Sequence, residues 1–345
     1  MVNSLKYDKA VAGKFIKLIC NLYQDFQVAF CYYIFGKEEN RLYEWNAAIQ
    51  KMIEWLEENL TDNPSLLDMS KQIGYSPYYC STQFKNIVGM TIKSYIAGRR
   101  LARAAIDIRD GDNRILDIAI KYGYSSQEAL TRAFVNAYGC TPASYRKNPI
   151  PIALSNMRVV FFPEHYISKG EPTMNKTLLT EPNIRIEHIP EHKYIGIFDI
   201  NAGDYGNFWE NHDCDKICGI INSMSHVSHP IVTPHTAGWF WKDGKKGYFY
   251  GFGVPGDYDG IIPEGFECRE IPASDYMVFF HPPFDYLKDN GEVMERVERL
   301  AWNFDPETKG YKWNEEVCND YQRHYPEVIG YEILRPIRRI SSMLK

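Results

Sequence analysis

The stretch GYSSQEALTRAFVNAYGCTPASYR, residues 123–146, decides how the first half of this chain is read, because GYSPYYCSTQFKNIVGMTIKSYI, residues 74–96, follows the same plan. In each copy Gly-Tyr-Ser leads to a phenylalanine (Phe84, Phe134), then to Gly-x-Thr (Gly89 and Thr91, Gly139 and Thr141), then to a tyrosine (Tyr95, Tyr145), with the copies about fifty residues apart. An amphipathic segment precedes each copy. A glycine between two short helices supplies the backbone freedom that a helix-turn-helix requires. Two such units in one small domain would present two recognition helices to successive major grooves on one face of DNA, roughly 34 Å apart. The repeat therefore implies sequence-specific binding to double-stranded DNA.

Outward from the repeat, Glu44–Leu60 carries apolar residues at helical spacing, and Asn63-Pro64-Ser65 ends that helix and caps the next. Leu66–Ile73 and Pro77–Val88 form the first expected helix pair, Thr91–Arg109 a long connecting helix, and Arg114–Tyr122 and Ser126–Tyr138 the second pair. A last short helix starts at Thr141-Pro142 and ends near Arg146. On the second recognition helix Leu130 and Phe134 share one face and must pack inward. Gln127, Glu128, Thr131 and Arg132 are then left facing bases and phosphates. On the first, Phe84 is inward, so Tyr78, Ser81, Thr82 and Lys85 face out. Ser125 and Ser126 cap a helix whose N–H groups can hold a phosphate. Arg99-Arg100 on the connecting helix fits either a backbone contact or an internal salt-bridged pair.

The fixed spacing of glycine, aromatic, threonine, proline and tyrosine over residues 42–147 resembles the AraC/XylS family of transcription regulators, and most closely its MarA/SoxS/Rob-like branch. That resemblance implies an all-α double helix-turn-helix domain at residues 41–148, with DNA and RNA polymerase as partners. Two departures qualify it. Ser81-Thr82 stands where that branch carries long polar or basic side chains, and Val135 where a lysine is usual.

Bulk numbers fit a division of labour. At 345 residues the chain is long enough for two domains. Its net charge of −5 is unevenly placed, since residues 41–150 carry 14 Lys+Arg against 11 Asp+Glu and residues 151–345 carry 20 against 29. The first block alone approaches phosphates favourably, and its excess is modest enough that base and shape contacts must contribute. Eight cysteines without framework spacing or a preceding secretory signal suit a reduced, cytoplasmic protein. The apolar run within Lys14–Gly36 is interrupted by Lys17, Asn21, Gln24 and Asp25, so no membrane span is expected. Residues 1–40 are an N-terminal extension to which the sequence assigns no role.

Residues 149–180, rich in proline with a Gly170-Glu171-Pro172 break, are the expected linker. Beyond them the texture becomes aromatic and alternating. Strands are expected over Ile184–Phe198, Thr236–Trp241, Gly247–Val254, Cys268–Phe280 and Val328–Pro336, with helices near Tyr205–Ser223 and Gly291–Asn303. The order is a duplicated β-α-β-β pattern, which predicts an α+β domain with an antiparallel sheet over residues 181–340. Residues 186–197, 270–279 and 331–336 resemble the GyrI-like effector-binding family. The resemblance implies a small-molecule effector, cationic or drug-like, met by a carboxylate on the last strand, and Glu332 holds the matching position. Leu334 departs from the aromatic residue usual there. Independently, Trp239, Trp241, Tyr248 and Tyr250 alternate along neighbouring strands, and with Trp209 and Tyr276 they supply rings for a cation-binding pocket around Glu332. The plainer alternative is an aromatic core with Glu332 salt-bridged.

His212-x-Cys214-x3-Cys218 lacks a fourth ligand at zinc spacing, and no nucleophile elbow, phosphate loop or dinucleotide fingerprint is present. No metal, cofactor or catalytic residue is therefore expected. The competing functions are hydrolysis by a pocket glutamate and protein interaction by the second domain. Neither has a use for the DNA-binding half.

Overall fold

The computed structural model describes residues 39–62, 64–160, 181–325 and 330–340, which divide into two compact units. The expected extension at residues 1–40 and residues 161–180 of the expected linker lie outside the described residues, apart from the start of the first helix.

The helical unit comprises α1 (Glu39–Glu58), α2 (Leu66–Ile73), α3 (Pro77–Val88), α4 (Ile92–Asp110), α5 (Ile115–Lys121), α6 (Gln127–Tyr138) and α7 (Pro142–Lys147). The sequence repeat becomes a repeat of caps. Ser76 accepts from the Tyr79 N–H and Ser126 from the Ala129 N–H, while Thr91 and Thr141 accept from the N–H groups of Ser94 and Ser144. Each side chain satisfies a helix-start donor that would otherwise be orphaned. The turn glycines Gly74 and Gly123 sit at φ 81° and 77°, a region in which a Cβ is strained. Packing repeats as well. Phe84 meets Tyr95 at a ring separation of 5.6 Å, and Phe134 meets Tyr145 at 5.5 Å, with both phenylalanines fully buried.

One charged network ties α1 to α4. Arg99 reaches Glu57 through Nε (2.6 Å) and Nη2 (2.8 Å), and the Tyr95 hydroxyl donates to the same carboxylate at 2.8 Å. Burial alone would raise the Glu57 carboxyl. Arg99 and Tyr95 outweigh it and hold the group below the usual carboxylate range. Arg100 donates to the Leu60 carbonyl. Of the two readings of Arg99-Arg100, Arg99 therefore takes the internal one.

The second unit holds nine strands among the described residues: β1 (Asn183–Ile189), β2 (His192–Asp199), β3 (Thr236–Lys242), β4 (Lys245–Pro255), β5 (Glu267–Ile271), β6 (Ser274–His281), β7 (Tyr311–Trp313), β8 (Asp320–Tyr325) and β9 (Gly330–Arg339). The helices between them are α8 (Tyr205–Asn211), α9 (Cys214–Ser223) and α10 (Tyr286–Asn303). Residues Trp209–Ile217 belong to the helical unit. The sheet is antiparallel, in the order β1-β6-β9-β8-β3-β4-β2-β5, with β7 on β9. Each half runs two strands, a helical stretch and further strands, the opening strand of the expected β-α-β-β unit being two, and the halves meet where β3 pairs with β8.

The strands expected over Ile184–Phe198 and Cys268–Phe280 are each two. They break at Pro190-Glu191 and Pro272-Ala273, where proline offers no N–H to the ladder. After each break the chain changes partner, so β1 pairs β6 while β5 pairs β2. The two halves thus exchange edge strands. β7 and β8 were not expected, and β8 matters for the site.

Directly opposed residues of antiparallel strands put their side chains on one face, and that face alternates along each strand. Tyr331, Ile333 and Arg335 lie on the face covered by α10, as the Arg335 bond to the Ala301 carbonyl at 2.7 Å shows. Tyr194, Phe249, Tyr276, Tyr321 and Leu334 form the core of the opposite face.

Candidate DNA-reading face and effector site

On α3, Tyr78 is 77% exposed, and Ser81 and Lys85 are exposed beside it. Thr82 is half-buried, and its hydroxyl donates to the Tyr78 carbonyl at 2.9 Å. On α6, Gln127, Glu128 and Arg132 are exposed and Thr131 is half-buried, while Leu130 and Phe134 are fully buried behind them. Ser125 is exposed at the helix start, and the Ser126 hydroxyl is engaged as the cap. The expected outward side chains thus stand on the faces that the buried ones leave free. An aromatic group next to the first unit was not foreseen. Trp45 of α1 stacks on Tyr79 (5.6 Å) and lies 4.4 Å from Tyr75, so the start of α3 carries a tyrosine-rich surface.

The expected effector pocket is not one cluster. Glu332 is 2% exposed, but Arg185 approaches it at 2.8 Å and Arg323 at 3.1 Å. Glu187 completes the network, 2.8 Å from Arg323 and 3.2 Å from Arg185. The register sets Arg323 directly opposite Glu332 on the face away from α10. A carboxylate matched by two guanidiniums has no charge left over for a ligand. Tyr276 lies on that same face, against Tyr321. Trp209 is buried and belongs to the helical unit. Trp239, Trp241, Tyr248 and Tyr250 lie on the other face, where β3 and β4 pair, with Trp241 40% exposed towards the hairpin end. Strand alternation is the cause, since the rings expected around Glu332 are one sheet thickness away.

What stands among those rings is a different acid. Asp320 lies directly opposite Trp239, is fully buried, and neither of its oxygens has a hydrogen-bond partner among the described residues. Burial pushes its carboxyl well above the usual range, and the nearby Glu315 carboxylate adds to this. Trp239 meets Tyr248 at 5.5 Å and Trp302 of α10 at 5.0 Å, edge to face. Tyr205 and Phe208 close on Tyr248 and Tyr250. A hydrogen-bonded chain runs from the Tyr248 hydroxyl to Gln322 (2.9 Å), from Gln322 to Tyr331 (3.1 Å), and from Tyr331 to Glu298 (2.9 Å). Burial raises the Glu298 carboxyl. Rings enclosing carboxyl groups favour an organic cation, through cation–π attraction and charge pairing.

Asp320 and Gln322 were missed because Asp320-x-Gln322-x-His324 is a polar alternation that reads as loop, while Glu298 lies on an expected helix that was not expected to face the rings. The alternation's period of two was the available signal. Among the described residues no three His, Cys, Asp or Glu side chains converge as a metal site, and no helix is long and apolar enough to cross a membrane. The six described cysteines are free thiols.

Residues 69–148 match the helix-turn-helix domain family. The regulatory protein SoxS of Salmonella typhimurium is 38% identical over 99 residues, which are 28% of this chain and 92% of SoxS. The right origin-binding protein of Escherichia coli K12 is 39% identical over 101 residues, 29% of this chain but only 35% of that protein. The chain thus spans about a third of the length of that relative. Among solved structures, SAV2435 bound to tetraphenylphosphonium overlaps 45% of this chain and 94% of its own at 14% identity and a TM-score of 0.33, too slight a likeness to bear on ligand or mechanism.

Proposed function

This chain belongs to the AraC/XylS family of DNA-binding transcription regulators, and from that premise we propose that residues 41–148 read an asymmetric DNA site while residues 181–340 bind a small organic cation as effector. Two recognition helices in one chain supply two major-groove contacts without a partner. Arg132, Gln127, Glu128 and Thr131 on α6, with Tyr78, Ser81, Thr82 and Lys85 on α3, are the side chains proposed to make them, and their exposed or half-exposed position supports the reading. RNA polymerase is proposed as a further partner.

The observation that carries the effector reading is Asp320, a fully buried carboxyl without a hydrogen-bond partner, set among Trp239, Tyr248 and Trp302. A buried polar group left unpaired costs about 1–3 kcal/mol, and a cationic ligand would recover that cost by ionising the acid beside its own charge. Trp fluorescence of the full chain should therefore be quenched by benzyltrimethylammonium and far less by neopentylbenzene, its neutral isostere. Asp320→Asn, which removes the ionisable group at constant shape, should bind the cation at least tenfold more weakly, about 1.4 kcal/mol. Equal binding by the two proteins would take Asp320 out of the site.

A further inference from the structure

Lys246 occupies the place that this cation would take. Its Nζ lies 3.3 Å from the ring centroid of Trp302 and 4.7 Å from that of Trp239. The residue stands opposite Trp241 at the end of the β3–β4 hairpin, with exposed Lys242, Asp243, Gly244 and Lys245 between them. A lysine there has open water within reach. This one instead turns back over the indoles, and its side chain makes no hydrogen bond or ion pair among the described residues. The two rings are what hold it.

We propose that Lys246 is a resident, displaceable occupant of the effector site: the free protein plugs its own aromatic box, and a cationic effector binds by sending the Lys246 ammonium into solvent. The proposal rests on the effector reading above and adds the regulation of that site. Two observations support displacement. First, the move needs only side-chain rotation, because the stem leaves the sheet beside an exposed turn. Second, the ammonium is poorly accommodated. Burial outweighs the attraction of Asp320 on β8, Glu315 after β7 and Glu298 on α10, Arg335 on β9 adds repulsion, and the amine is brought down to about 8. A group less well placed than in water is readily exchanged.

The plug also selects the effector class. A primary ammonium would compete with Lys246 on equal terms but sheds a strongly held hydration shell to do so. A quaternary ammonium loses less on leaving water and makes wider contact with the rings. The site should thus prefer quaternary, hydrophobic ammonium compounds to primary amines. Loss of the Lys246 proton weakens its hold on the rings and removes its repulsion of a bound cation, so the affinity of a permanent cation should rise as pH rises through about 8.

The test is titration of the full chain with benzyltrimethylammonium at pH 7 and pH 9, for the wild type, Lys246→Met and Lys246→Arg. Lys246→Met should bind at least tenfold more tightly than the wild type at pH 7, with a shallower pH profile, since only the raised Asp320 and Glu298 carboxyls then titrate in the site. The wild type should tighten severalfold by pH 9, and Lys246→Arg should stay weak at both values. If the wild type binds the cation and Lys246→Met binds it equally or more weakly, or keeps the pH slope, the plug is overturned while the effector reading stands. If neither binds it, with circular dichroism showing both folded, both proposals fall.

Discussion

Phe134→Ala is expected to unfold the second helix-turn-helix unit, with a loss of about 3–5 kcal/mol, the range for truncating a buried aromatic. Phe134 is fully buried, with Tyr138 at 4.8 Å, Tyr145 at 5.5 Å and Leu130 one turn before it on α6. Its neighbours are themselves held. α6 is capped at Ser126, and Tyr145 sits on α7, which is anchored by the Thr141 cap. The cavity therefore cannot collapse cheaply. Such a loss is a large fraction of the 5–15 kcal/mol typical of a whole domain. It should appear as a lowered urea midpoint of the helical unit and as lost hydrogen-exchange protection across α6. Val135→Ala, one residue along and 39% exposed, should leave both unchanged. A Phe134→Ala chain as stable as the wild type would mean that α6 does not pack as described.

Glu332→Gln is the second large effect, and it separates the two faces of the sheet. Removing the charge strands two guanidiniums that share the carboxylate at 2% exposure. Breaking a buried ion pair costs about 3–5 kcal/mol. The low end applies here, about 3 kcal/mol, because Arg323 keeps Glu187 and Arg185 is partly exposed. The denaturation midpoint of the sheet unit should fall accordingly, while benzyltrimethylammonium affinity, measured under conditions where the variant is folded, should stay within about threefold of wild type. The reverse pattern, normal stability with lost binding, would return Glu332 to the ligand site.

The helical unit was legible in the sequence because its signals are local. Caps, turn glycines and apolar spacing act within a few residues, so α2 and α3 fall where the residues place them, and Phe84 and Phe134 are buried as their spacing requires. The sheet was legible in type but not in its strand order or facing. Whether Glu332 meets rings or arginines depends on which strand lies beside β9, and that strand, β8, is a short polar one of 6 residues. Arg323, which neutralises Glu332, and Asp320, which replaces it among the rings, both come from β8. Its side chains are polar because both faces use them, and that concealed the strand. Arg185 likewise reaches Glu332 only because β1, ahead of the Pro190 break, pairs with β6 while β2 pairs elsewhere.

One chain is expected to read one asymmetric DNA site with two helices. Quantitative footprinting of the full chain on a duplex obtained by binding selection tests it most directly, with Arg132→Ala titrated in parallel. Protection of two successive major grooves on one face at one chain per duplex is predicted, with Arg132→Ala at least tenfold weaker, about 1.4 kcal/mol, and an unchanged thermal midpoint. Two inverted half-sites filled by two chains, or an Arg132→Ala isotherm that overlays the wild type, would contradict it.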